Sequence, residues 1–441
     1  MKRNHIFLSL LLLALCSFPA FSQKDLLQSG PMLGYTDMFE TMLWVQTKSA
    51  AKVQFAYWVK DSLDAGKFFT ESVRTAKEKA FTAHLVADKV LPGRVYDYQL
   101  LINDKPVVFD YPTTFQTQPL WKFRTDPPDV KIALGSCAYV NEPAYDRPGK
   151  AYGGDYQIFG AIHRQQPDLM LWLGDNTYLR EPDWFTRTGF LHRYTHTRSL
   201  PELQPLLAST HHYAIWDDHD YGTNDSDRSF IYKELATEVF EMFWGNPTYG
   251  LPGEDGITSY FQWGDVDFFL MDDRYFRTPN ERKTGNCKYL GTAQFDWLID
   301  ALVASKATFK FVAVGGQVLT TYPKYETYIN LCPEERIELL RRIEQEGIKN
   351  VIFLTGDRHH TELSKLVNDS GHAVYDFTVS PLTSGAHTTD EPNLLRVPGT
   401  LVTQRNFGTM EISGPRKQRS LTMRIFDSNG TELWSETIQA E

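Results

Sequence analysis

Apolar and polar positions between residues 24 and 125 alternate in short runs, MLWVQTK, KVQFAYWV, KAFTAHLV and VYDYQLL, each closed by turn residues. A period of two buries one face of each run, so this stretch is predicted to be all-β, a sandwich of short strands. The TDPPDV segment at 125–130 carries two prolines that can continue neither a helix nor a central strand, and marks a boundary. Beyond it, from 126 to 441, the pattern changes. Short unbroken apolar runs alternate with stretches of helical period, predicting helices near 154–165, 187–207, 230–244, 293–305 and 333–348, and so an α/β architecture. The tail returns to two alternating runs around Asn429-Gly430, a strong hairpin signal.

Four of the unbroken runs end in metal-competent residues: KIALGSC (131–137), LMLWLGDNTY (169–178), HHYAIWDDHD (211–220) and NVIFLTGDRHH (350–360). Each reads as a buried strand, and the carboxyl ends of strands are where open α/β sheets place their ligands. Buried Asp and His must be paired or coordinated, so four such endings point to one shared metal site. Candidate ligands are Cys137, Asp175, Tyr178, Asp218, Asp357 and His359. Their mixture of hard carboxylates, imidazole, thiolate and phenolate fits several cations better than one zinc. A phenolate from Tyr178 needs a strongly Lewis-acidic neighbour such as ferric iron, and the remaining acidic positions suit Ca2+, Mg2+ or Mn2+.

His219 is the candidate to protonate a leaving oxygen. Arg274, after another apolar run, is read either as a fork for phosphate or as a salt-bridge partner of Asp272 or Asp273. Gln317 could touch substrate or only a turn. His211 and His212 are read as packing or solvent-facing, and His360 as a residue that supports a ligand from behind or lies on the surface. LPGRVYDYQLL enters a strand as fibronectin type III-like sandwiches do, with Tyr96 or Tyr98 available for the corner hydrogen bond.

Composition narrows the field. The 441 residues are 42% hydrophobic and 14% aromatic with a formal net charge of -10, which describes a globular chain long enough for two domains. No run of five Lys or Arg occurs, so a nucleic-acid backbone or an anionic lipid surface is not expected to be the principal partner. Residues 1–22 show a basic head, an apolar stretch too short to span a bilayer and a small-residue site after Ser22, reading as a cleaved export signal. Cys16 would make it a lipoprotein signal, but Leu15 stands where a small residue is needed. No other transmembrane segment is found, so a soluble periplasmic or secreted protein is expected. Removing the signal leaves Cys137, Cys287 and Cys332, and the loop-like settings of the last two suggest a 287–332 disulfide with Cys137 free for metal.

Taken together, GSC, GDxxY, DDH and GDxH in this order, behind an amino-terminal β-sandwich, resemble the PhoD-like alkaline phosphatases of the metallophosphatase group. The resemblance implies a double-sheet α/β/β/α sandwich, Fe3+ with Ca2+ as cofactors, and a small-molecule phosphate ester as substrate. It also implies Cys137, Asp175 and Tyr178 as ligands, Asp175 bridging, with Asp218, Asp357 and His359 completing the cluster. The chain departs from the pattern in two places. Asp220 stands where Glu usually follows DDH, and VGGQ replaces the His-bearing strand end of purple acid phosphatases. The expectation is an exported metal-dependent phosphoric ester hydrolase. A phosphodiesterase or phospholipase D-like enzyme is the alternative, and a metal-stabilised binding protein is the reading outside enzymes.

Overall fold

The computed structural model of the protein describes residues 23–62, 66–388 and 391–441, so the export-signal reading of 1–22 lies outside the described residues. Six strands carry the argument: β1 (Val130–Gly135), β2 (Leu169–Leu173), β3 (His211–Ile215), β4 (Val266–Leu270), β5 (Phe309–Ala313) and β6 (Val351–Thr355). The first three run parallel inside a nine-stranded sheet, and the last three run parallel inside a six-stranded one. Every residue of β2 to β6 is buried. Unbroken apolar runs mean strands covered on both faces.

The two sheets face each other. Ile132 and Leu171 of the larger sheet share one core with Phe268, Phe311 and Leu354 of the smaller. The alternate residues Phe269, Val312 and Phe353 point the other way, into a second core with Leu298 and Leu339 of the helices Thr292–Ala304 and Pro333–Gln345. Period-two side-chain alternation thus makes one strand serve two layers. The predicted helix over 187–207 is broken instead: it runs Arg187–Arg198, and a second helix spans Gln204–Ser209 after a 3-10 turn at Pro201–Leu203. Pro201 supplies no N–H to continue the first.

Strands Leu27–Thr36, Thr41–Thr47 and Thr82–Ala87 do not form a sheet of their own. They extend the nine-stranded sheet, with Leu33 paired in parallel to His211. A separate small sheet contains Lys52–Val59 and Val95–Ile102. Leu43, Val45 and Leu85 pack against its Phe55, Tyr57, Tyr96 and Phe115. Tyr96 closes the turn, its hydroxyl accepting the Leu91 N–H at 2.7 Å. Tyr98 reaches further, donating to Ala208 O at 2.7 Å in the last turn of Gln204–Ser209. His211 and His212 are both buried, bonded to Gly34 O and Leu206 O, so neither faces solvent. Among the described residues no helix is long and apolar enough to cross a membrane.

Removing the Tyr98 hydroxyl leaves a buried helix-end carbonyl without its donor. Tyr98→Phe is expected to lower stability by about 1–3 kcal/mol in urea unfolding, with hydrolytic rates unchanged.

Candidate metal centre

The chain turns sharply where β1, β2 and β6 end. Cys137, Asp175, Asp357 and His359 all adopt left-handed backbone conformations, with φ of 60°, 53°, 63° and 54°. Such geometry costs a non-glycine residue of order 1–3 kcal/mol and persists where surrounding contacts over-determine it. Here it carries four candidate donor side chains off the strand ends, and those of Cys137, Asp175 and His359 meet, while Asp357 falls in none of the tight donor groups. The glycines before two of them allow the approach: a Cβ on Gly356 would lie 2.7 Å from Leu173 O and Ser136 Cβ, and one on Gly174 2.7 Å from Asp217 Cβ.

Donor atoms of Cys137, Asp175 and His359 lie within 4.8 Å of one another, as do those of Asp175, Asp218 and His219, and those of Asp217, Asp218 and Glu326. Neighbouring triads share Asp175 and then Asp218, which suits a row of cations with Asp175 between the first two. The Asp175 carboxylate is 3.6 Å from Cys137 Sγ and accepts the Tyr178 hydroxyl at 3.0 Å. Tyr178 Oη is 3.3 Å from His359 Nε2. Asp218 is oriented by the backbone N–H groups of His219 and Asp225, at 2.8 and 2.7 Å. Asp357 Oδ2 is buried with no hydrogen-bond partner.

The electrostatics match a site built for cations. Burial, then repulsion from Asp218, Asp217, Asp220 and Asp357, pushes the Asp175 carboxyl well above the usual carboxylate range. Burial, then Asp175, likewise pushes the Cys137 thiol up. Cations in their midst reverse both effects. Burial, followed by His387 and His219, lowers His359 to about 3, leaving the imidazole neutral, its ligand form.

Supporting residues fix these donors. Ser136 and Ser380 hydroxyls donate to Cys137 Sγ at 3.4 and 3.2 Å. Tyr152 Oη sits 3.1 Å from His359 Nδ1, leaving Nε2 for the centre. Asp220, the shorter arm where a Glu is usual, accepts the N–H groups of Asn176, Thr177 and Asp217 at 3.1, 2.8 and 3.1 Å. It clamps the GDNTY turn and caps the helix Asp218–Tyr221, a role that its short reach fits. A cavity of about 400 Å3 opens beside the cluster, lined by Tyr139, Tyr152, Tyr178, Trp184 and His219.

Arg274 is a correction. Its side chain has no exposed surface, and its fork is spent on carboxylates: Nε donates to Asp217 Oδ1 at 2.5 Å and Nη2 to Glu326 Oε2 at 2.6 Å. Nη1 turns inward to Ser226 O at 3.3 Å, and of the two partners read from neighbouring sequence Asp273 is present as a longer ion pair, its Oδ1 4.0 Å from Nε, while Asp272 accepts the Arg274 backbone N–H at 3.0 Å. Arg277 repeats the arrangement on Glu326 and Asp273, at 2.7 and 2.9 Å. Gln317 bridges Glu362 and Thr378 at 2.9 and 3.0 Å, a buried structural link. His360 is buried, bonded to Arg358 O. Cys287 and Cys332 form the disulfide, and Cys137 is the free, buried thiol.

Sequence reasoning passed over Asp217, Glu326 and Tyr152. Asp217 was visible within WDDHD, whereas Glu326 and Tyr152 sit in irregular loops with no local signal. Arg274→Met would leave Asp217 buried and unneutralised, with Glu326 held by Arg277 alone, and is expected to cost about 3–5 kcal/mol of stability in thermal or denaturant unfolding.

Residues 132–417 match the family described as PhoD-like phosphatase, and residues 24–120 match a domain of unknown function, DUF7800. Alkaline phosphatase D of Bacillus subtilis (strain 168) is 21% identical over 397 residues, covering 76% of this chain and 64% of that protein. The chain therefore spans a little under two thirds of the length of this curated relative. A solved structure of PhoD superposes with a TM-score of 0.76 at 17% identity, covering 95% of this chain and 91% of that one. The purple acid phosphatase PPD1 from yellow lupin seeds gives 0.66 at 11% identity, covering 93% and 74%. The shared fold is that of the metallophosphatases, and the stretch matched by the family covers well over half of the sequence. The chain belongs to the PhoD-like phosphatase family.

Proposed function

We propose that the protein is an exported, metal-dependent hydrolase of small-molecule phosphate esters. The observation that carries this reading is the convergence of Cys137, Asp175, Tyr178, Asp218 and His359 at strand ends beside an open cavity, with Asp357 nearby making no hydrogen bond through its Oδ2 and only a 3.7 Å ion pair to Arg358. Export is supported by the basic-apolar pattern of residues 1–22 and by the Cys287–Cys332 disulfide, which belongs to an oxidising compartment. Residues 24–125 read as an all-β module, supported by the separate domain match over 24–120 and the Tyr96 corner bond, with three of its strands continuing the nine-stranded sheet.

The donor set fits ferric iron and calcium. Thiolate, phenolate and imidazole would hold a ferric ion through Cys137, Tyr178, Asp175 and His359, while Asp175, Asp218 and Asp357 offer hard oxygens for calcium. Bound cations supply Lewis acidity toward the phosphoryl oxygens and an activated water for in-line attack.

The remaining work falls to the chain. Asp175 and Asp218 fix the spacing of the centre, and Arg274 holds Asp217 against it. His219 is half-buried and lines the cavity, with its ring centroid 4.3 Å from that of Tyr178, placed to deliver a proton to the departing oxygen. Tyr139, Tyr152 and Trp184 wall the cavity, and its rim mixes charges, with Arg147 paired to Glu181 at 3.1 Å and Lys150 exposed beside them.

Asp175→Asn is expected to lower turnover of p-nitrophenyl phosphate by at least about 100-fold while unfolding stays cooperative; full activity would refute the assignment. His219→Ala separates substrates by leaving group. Alkyl phosphates, whose alkoxide needs a proton, should slow by about 100-fold or more, and p-nitrophenyl phosphate by less than about tenfold. Plasma-emission analysis of purified protein should find iron with calcium, and zinc alone in active protein would exclude this donor assignment.

A further inference from the structure

Two loops far apart in the chain, 119–125 and 414–418, are knitted together on the surface. Arg416 donates its backbone N–H to Asp126 Oδ1 at 3.1 Å across 290 residues, and its Nη2 to Thr125 O at 2.8 Å across 291. The loops border a hollow of about 640 Å3. At its lip Phe123 is 95% exposed, and its backbone is held at a φ of 63°. A bulky aromatic residue pays strain for that conformation and gains no burial from it. Leu120 is 46% exposed beside it. The Trp121 ring lies under Arg416 at 5.5 Å and Lys122 at 5.9 Å.

The charge of this platform runs against that of the molecule. The whole chain carries -10, yet Lys122, Arg124, Arg416 and Lys417 gather here, all exposed. Among the described residues none of the four forms an ion pair; Lys122 bonds Gln262, Arg124 the Lys122 carbonyl and Arg416 the Thr125 carbonyl. Asp37 and Glu40, in the neighbouring cleft, set one edge of the cationic face.

We propose that this platform docks the protein on an anionic phospholipid bilayer. Phe123 enters the boundary between headgroups and acyl chains, and the four cations meet lipid phosphates. A soluble polyanion would use the cations but give no reason for a strained, bare Phe, and an apolar protein partner would leave the cations unmatched. Bilayer interfaces take aromatic side chains and basic ones together. No run of Lys and Arg announces the site, because its cations come from two segments joined only by folding.

The orientation has a consequence for the other end of the molecule. The platform precedes Val130, where β1 begins, and Cys137 follows its far end, roughly 20 Å away for six extended residues. A docked chain turns its metal centre away from the lipid and toward soluble esters.

The test is sedimentation of the full chain with phosphatidylcholine vesicles, with or without about 30% phosphatidylglycerol, at low and high salt. Binding is expected to the anionic vesicles, at least about tenfold weaker to neutral ones, and to fall with salt. Phe123→Ser should weaken partitioning by about tenfold or more, and Phe123→Trp should retain it. Arg416→Gln and Lys417→Gln should each lower it about fivefold. Asp175→Asn should bind as the unaltered chain does, which separates this surface from the hydrolase reading. Equal binding to both vesicle types, binding to neither, or undiminished binding by Phe123→Ser would overturn the proposal.

Discussion

Repulsion among buried carboxylates is the constraint around which the molecule is arranged. Asp175, Asp217, Asp218, Asp273, Asp357 and Glu326 crowd the carboxyl ends of two sheets, and the guanidiniums of Arg274 and Arg277 balance only part of that charge. Charge without a partner is costly in a low-dielectric interior. Cations at the shared triads would supply what the two arginines do not. The strand ends are shaped accordingly, with four candidate donor residues in the left-handed backbone conformation that costs a side chain strain.

Holding such a site open requires rigidity around it, and the two facing sheets provide it. The first, second and sixth of the parallel strands end at one level and deliver Cys137, Asp175, Asp357 and His359, while the third delivers the WDDHD turn. Contacts one layer out are polar and specific: Asp220 clamps two consecutive turn N–H groups, Ser380 bonds the thiol, and Tyr152 engages the back of His359. Tyr152 also lines the cavity, so a molecule entering there touches the side chain bonded to His359, the candidate metal ligand.

The amino-terminal strands are tied to this scaffold at the other end. They continue the nine-stranded sheet past the third parallel strand, and Tyr98 ties the small sheet to the helix beside it. The chain then passes through the exposed aromatic and basic segment before entering the first parallel strand. Chemistry at one end of that strand and surface attachment at the other would be separated by its full length, so neither crowds the other.

The four apolar runs ending in GSC, GDNTY, WDDHD and GDRHH were legible from the sequence alone, because a buried strand leaves a local signature of unbroken apolar residues closed by polar ones. So were the hairpin at Asn429-Gly430, most helices, and the pairing of Cys287 with Cys332. Arg274 was visible as a cation at a strand end, but its orientation was not: Asp217 and Glu326, lying 57 and 52 residues away, decide it. The same holds for Asp220, whose bonds to the Asn176 and Thr177 N–H groups exist only once two turns meet, and for the cationic platform built from segments 290 residues apart. Local periodicity is a property of neighbouring residues and can be read along the chain. Which charge neutralises which depends on distances in space, and only the packing of one sheet on the other sets those.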